Sequence, residues 1–127
     1  MATPRRMSEA AERAQERRRR EDAAPRLIKE VPRLLSLSLE IDERRPGAGS
    51  GTCHTRRIVV ANAPALFMLP CADSSCQDGG HDLTRNIMPR LRDGIARFEG
   101  EHVCDGHVGS AHCGNILRYV ARASYQE

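Results

Sequence analysis

Leu35, Leu37, Leu39 and Ile41 alternate with Ser36, Ser38, Glu40 and Asp42, which predicts a strand with one buried and one wet face. Arg44-Arg45-Pro46 closes that pattern, and the glycine-rich run from Gly47 to Gly51 reads as a hairpin loop. The loop matches neither a dinucleotide-binding fingerprint nor a phosphate loop, because no lysine follows it and no helix opens from it. Residues 57–61 predict a second strand, pairing with the first as an antiparallel ribbon. After a bend at Asn62-Ala63-Pro64, Ala65 to Leu69 predicts a third strand that ends at Pro70.

The period then changes. Leu83, Ile87, Leu91 and Ile95 recur every four residues, as on one face of a helix, with Asp82 placed to cap it and Gly94 to stop it. Pro89 removes a backbone donor from its middle, so a kink is expected. Two further strands are predicted at 96–103 and 115–124. In the last, Leu117, Tyr119, Ala121 and Ala123 share one face, and Ile116, Arg118, Val120 and Arg122 the other. Ahead of the first strand, Leu27, Ile28 and Val31 form an entry segment between Pro25 and Pro32. Residues 1–26 carry no apolar stripe, although Glu9–Arg13 and Glu16–Arg20 are favourable helix pairs. They are read as an arginine-rich mobile or helical tail, and residues 27–127 as a single domain. The expected class is α+β: a small antiparallel sheet of four to five strands with one kinked helix.

Candidate chemistry gathers in the turns between these elements. Cys71-Ala-Asp-Ser-Ser-Cys76 and the segment from Cys104 to Cys113 each supply two thiols, and one supersecondary unit separates them. Zinc asks for four soft ligands at the corners of a tetrahedron, so Cys71, Cys76, Cys104 and Cys113 are the proposed ligands of a Zn2+ ion. Gly106 and Gly114, close behind the second pair, let backbone amides approach the sulfurs. The plain alternative is four small buried hydrophobes, or pairs that oxidise on isolation. His81 and His112 are possible substitute ligands, while His54, His102 and His107 read as surface or supporting residues. A nucleophilic Cys53 activated by His54 is disfavoured, because neighbours on a strand point to opposite faces. The His81-Asp82 doublet resembles the paired residues of metal phosphohydrolases, but their further histidines are missing. Glu99 and Glu101 read as a solvated edge, and no Ser-His-Asp arrangement or glycine-framed nucleophile occurs.

The two cysteine pairs at hairpin ends resemble zinc-ribbon domains over residues 71–113, with zinc-ribbon-like cysteine loops. Both spacings are longer than the common C-x2-C, and a helix lies between the pairs. The resemblance implies a zinc-stabilised platform of strands, of a kind used to bind nucleic acid, ribosomes or other proteins.

Composition sharpens the reading. Four aromatics and no tryptophan in 127 residues leave little bulk for a core, which favours a metal as supplement. The net charge of +3 sits wholly in the tail, where eight arginines face five acids; the remainder is balanced. A generally basic nucleic-acid face on the domain is therefore not expected, and few aromatics argue against single-strand stacking. Arg17, Arg18, Arg19 and Arg20 in the tail and Arg118 and Arg122 on the last strand are the candidate partner-binding residues. No secretory leader is recognised, and the longest apolar run, 63–72, holds two prolines and cannot span a bilayer. The expected compartment is cytoplasmic, where thiols stay reduced. A closed four-thiolate site is structural. The expectation is therefore a small non-enzymatic zinc-binding module that docks on a larger protein or ribonucleoprotein assembly. The alternatives are a nucleic-acid binder acting through the tail, and a metal-dependent or thiol enzyme.

Overall fold

The computed structural model describes residues 9–47 and 51–127, so the first eight residues and the middle of the glycine loop lie outside it, as does the Glu9 side chain of the expected Glu9–Arg13 pair. In chain order the elements are α1 (Glu9–Ala23), α2 (Leu27–Glu30), β1 (Leu34–Arg44), β2 (Thr52–Ile58), β3 (Met68–Leu69), β4 (His81–Asp82), α3 (Thr84–Arg92), β5 (Arg97–Val103), β6 (His107–Val108), β7 (Ala111–His112) and β8 (Ile116–Tyr125). Four strands form one antiparallel sheet in the order β2-β1-β8-β5, while β3-β4 and β6-β7 are separate two-stranded ribbons. The chain is thus mixed helix and strand around a four-stranded antiparallel sheet.

The alternation of β1 puts Leu37, Leu39 and Ile41 on the buried face, opposite Ala123, Ala121 and Tyr119 of β8. Phe98 of β5 and Leu117 of β8 extend that face. Leu83 and the buried side of α3 (Ile87, Met88 and Leu91) belong to the same core, together with Leu27, Phe67 and Leu69. Burying such aliphatic side chains contributes about 1.5–3 kcal/mol each, and this is the sheet's main stabilisation. The opposite face carries Ser38, Glu40, Asp42, Arg118, Val120 and Arg122, exposed or half-buried.

Several expectations need correction. Leu35 is 57% exposed, and Leu34 takes its place in the core. The register shifts between Leu34 and Ser36, so one extra residue in β1 reverses the parity of everything before it. The second strand is Thr52–Ile58 rather than 57–61, and the third shrinks to Met68–Leu69, which pairs with β4. The described residues hold three helices, not one. Among them α3 runs on through Pro89, with Leu83 rather than Asp82 at its N-cap position. Asp82 still serves this end, because its carboxylate accepts the Thr84 N–H at 3.0 Å. At the other end Ile95 lies beyond the helix, after Asp93 and Gly94.

The arginine-rich segment is helical from Glu9 to Ala23, with Arg20 and Glu16 paired at 3.2 Å. The Arg13 guanidinium ties it to the cysteine region, donating a hydrogen bond to the Cys76 carbonyl at 3.1 Å. Removing residues 1–24 is therefore expected to lower the melting temperature by no more than about 8 °C, the scale of one hydrogen bond in a domain this size. A truncated chain that loses cooperative unfolding would show instead that α1 belongs to the core.

Candidate metal centre

The four cysteines of the two pairs come together. Their sulfurs, with Cys71 half-buried and Cys76, Cys104 and Cys113 buried, all lie within 4.8 Å of one another. Two contacts cross between the two segments: Cys71 Sγ to Cys113 Sγ is 3.7 Å and Cys76 Sγ to Cys104 Sγ is 3.6 Å. A disulfide would hold sulfurs at about 2 Å. Bonds of about 2.3 Å to one tetrahedral ion put them about 3.7 Å apart. The spacing is that of ligands sharing an ion, although the identity of the metal does not follow from spacing.

Local structure explains the convergence. Cys104 directly follows β5 and its N–H donates to the Asn115 carbonyl at 2.8 Å, while the Cys113 N–H donates to the Gly106 carbonyl at 2.8 Å. These bonds fold the segment 104–115 back on itself around the β6-β7 hairpin. The first loop is laid against it by Gln77 and His107, whose backbones exchange two hydrogen bonds. Gly79 and Gly106 face the sulfurs so closely that a Cβ on Gly79 would overlap the thiols of Cys76 and Cys104, and one on Gly106 the thiol of Cys76. The absence of side chains there lets the Gly106 N–H donate to Cys104 Sγ at 3.4 Å.

The thiols do not share one electrostatic fate. Burial pushes Cys76 up to about 12, helped by the neighbouring thiols of Cys104 and Cys113. Burial likewise raises Cys71 strongly, with Cys113 and the Glu43 carboxylate adding to it. For Cys104 burial also opposes ionisation, but the amides of Gly106 and Gly80 and the thiols of Cys76 and Cys113 outweigh it, and the net shift is downward. The protein's own amides thus ease ionisation of Cys104, whereas burial and the neighbouring thiols oppose it at Cys76 and Cys71, an opposition that a cation among the sulfurs would relieve.

A second polar cluster adjoins the first. Glu43, at the end of β1, is buried; its Oε2 lies 3.6 Å from Cys71 Sγ and accepts hydrogen bonds from the Ala72 N–H at 2.6 Å and Asn115 Nδ2 at 3.1 Å. Its Oε1 is 3.3 Å from Nε2 of the buried His81. His81 Nδ1 in turn lies 2.8 Å from Nδ1 of His102. Burial pushes the Glu43 carboxyl up, but the His81 ring and the two amides more than offset it and hold the group below the usual range. Glu43 escaped the sequence reading, although extending the alternation of β1 by two places puts it on the buried face.

The remaining candidates, His81 excepted, belong to neither cluster. His112 is exposed on β7 and belongs to neither convergent group found among the described residues; His81 sits beside Cys71 with Glu43. Cys53 is exposed, opposite Asp42 at the other edge of the sheet, and consecutive with His54 on β2. Arg118 and Arg122 lie on the outer sheet face, paired with Glu101 at 3.2 Å and Glu40 at 3.3 Å. Arg18, Arg19 and Arg20 are exposed on α1 and Arg17 is half-buried. No described helix is long and apolar enough to cross a membrane. No protein-family model matches the chain, and neither a curated protein nor a solved structure matches it.

Proposed function

We propose that the protein is a small non-enzymatic zinc module that docks on a larger protein or ribonucleoprotein assembly. The observation that carries this reading is the convergence of four sulfurs within 4.8 Å, with Cys71–Cys113 at 3.7 Å and Cys76–Cys104 at 3.6 Å, the separation of two thiolates on one tetrahedral ion. Four such ligands close the shell and leave no position for water or substrate, which is the chemistry of a structural ion rather than a reactive one. Zinc suits a four-sulfur tetrahedron, being borderline-soft and without a geometric preference of its own.

The outer face of the sheet supports the docking half of the reading. It carries an open concavity of about 800 Å³, lined by residues that include Glu40, Asp42, Cys53, Glu101, Arg118 and Val120. Its arginines are paired with carboxylates across the strands. Such a face is charged yet balanced, and fits a protein surface better than a phosphate backbone.

Native thiol titration with elemental analysis tests the metal. Of the five cysteines, Cys53 alone is expected to react with a soluble disulfide reagent, the other four appearing only after chelation and denaturation. Five reactive thiols in the native protein would remove the metal and the platform with it. Binding to RNA and duplex DNA across a salt series then separates the partners. Tight, salt-steep binding that disappears with residues 1–24 would make the protein a nucleic-acid binder acting through α1.

A further inference from the structure

We propose that Glu43, Cys71 and His81 hold a second divalent cation, of the borderline-soft class to which zinc belongs, with the Cys71 sulfur bridging it to the four-cysteine ion. The proposal rests on the four-cysteine reading in that Cys71 serves both ions. Oxygen, sulfur and nitrogen atoms from these three residues lie within 4.8 Å of one another.

Three observations point to a cation. Among the described residues the buried side-chain polar atoms without a hydrogen-bond partner are His81 Nε2 and Asn115 Oδ1, and both residues belong to this cluster. His81 Nε2 lies 3.3 Å from Glu43 Oε1 without the alignment of a hydrogen bond. Two ligands at about 2.0–2.1 Å from one tetrahedral ion stand about 3.3 Å apart. Glu43 Oε2, the other oxygen of the same carboxylate, lies 3.6 Å from Cys71 Sγ, so a carboxylate binding through both oxygens would meet the nitrogen on one side and the sulfur on the other.

The second ring nitrogen supplies the tautomer. His81 Nδ1 is 2.8 Å from His102 Nδ1, and one of the two must donate. With the proton on His81, Nδ1 donates to His102 and Nε2 is left with a bare lone pair directed into the cluster, the usual arrangement of a ligating histidine. Asn115 can complete the set. Turning its amide about χ2 puts Oδ1 where Nδ2 stands, 3.1 Å from Glu43 Oε2 and 3.6 Å from Cys71 Sγ.

Charge gives the reason. One dication among four thiolates leaves a net charge of about −2, and the Glu43 carboxylate adds a further negative charge in contact with one of those sulfurs. A second dication reduces the excess to about −1 and turns the contact between Glu43 and Cys71 from repulsion into shared ligation.

Cadmium-113 NMR of the full chain loaded with cadmium chloride tests this without a variant. Two resonances of equal intensity are expected, one of them in the four-sulfur region and the other shifted toward mixed oxygen and nitrogen ligation. The His81→Ala variant should lose the second and keep the first, with metal content falling from two equivalents to one. A single four-sulfur resonance in the unaltered protein overturns the second ion and leaves the first reading intact. No resonance at all overturns both. A second resonance that survives His81→Ala places the ion elsewhere and overturns the assignment.

Discussion

The Cys104→Ser variant is expected to lose stoichiometric zinc at the four-cysteine site and to melt at least about 15 °C below the parent. Cys104 is fully buried, its sulfur 3.6 Å from that of Cys76 and in hydrogen-bonding contact with the Gly106 amide. A serine hydroxyl there is a hard, neutral ligand in place of a thiolate. Structural zinc contributes apparent binding energies of about 10–16 kcal/mol in small domains, and binding to the native state alone is folding energy. A loss of even about 3 kcal/mol corresponds to some 12–24 °C in a domain of this size. The metal can be separated from packing by chelation. If zinc is the cause, the parent stripped of metal should melt close to the variant, and added zinc should restore only the parent. Equal melting of variant and parent with metal bound would remove the structural ion.

How much of this was legible beforehand differs from element to element. The β1 alternation and the four-residue period of α3 were readable, because each reports a face buried along the element's own length. Strand β2 was not. Thr52 to Arg57 are all exposed, as on an edge strand covered on neither face, so no alternation marks them and the register comes from pairing with β1. Periodicity drew the prediction instead toward Val59 and Val60, of which only Val60 is buried. Leu34 and Leu35 show the limit of local pattern: both are leucine, and the choice is made by the distant strand β8, where Tyr125 pairs with Leu34 and Ser124 with Ser36, leaving Leu35 as the extra residue between them. The four clustered cysteines could be picked out from spacing because thiols are scarce and chemically particular. Glu43 could not, since a carboxylate among the charges closing a strand looks solvated until the turn carrying Ala72 and the Asn115 side chain arrive to donate to it. Its parity was the available signal: an acid at a core position asks for a partner.

Gly106→Ala is expected to cost about 2–4 kcal/mol and to weaken metal binding, whereas Gly109→Ala, three residues on, should cost about 1 kcal/mol and leave the metal untouched. The two positions strain for different reasons. At Gly109 the backbone is left-handed, with φ of 60°, but a Cβ would meet nothing within 4 Å. Alanine there suffers only its own conformational penalty. At Gly106 a Cβ would meet the Cys76 sulfur, and also the Gln77 carbonyl oxygen and the Gly79 Cα at 2.6 Å. Two of those three atoms are backbone, so no rotamer change relieves the overlap, and the two cysteine loops must separate. That separation pulls Cys76 from Cys104 and opens the shell on one side. The readouts are the melting temperature and the zinc affinity from competition with a coloured chelator. Gly106→Ala should lower both and Gly109→Ala only the first. If alanine at 106 bound zinc as tightly as the parent, the loops would have room to spare, and the close glycine contact would not be what holds the sulfurs at ligand distance.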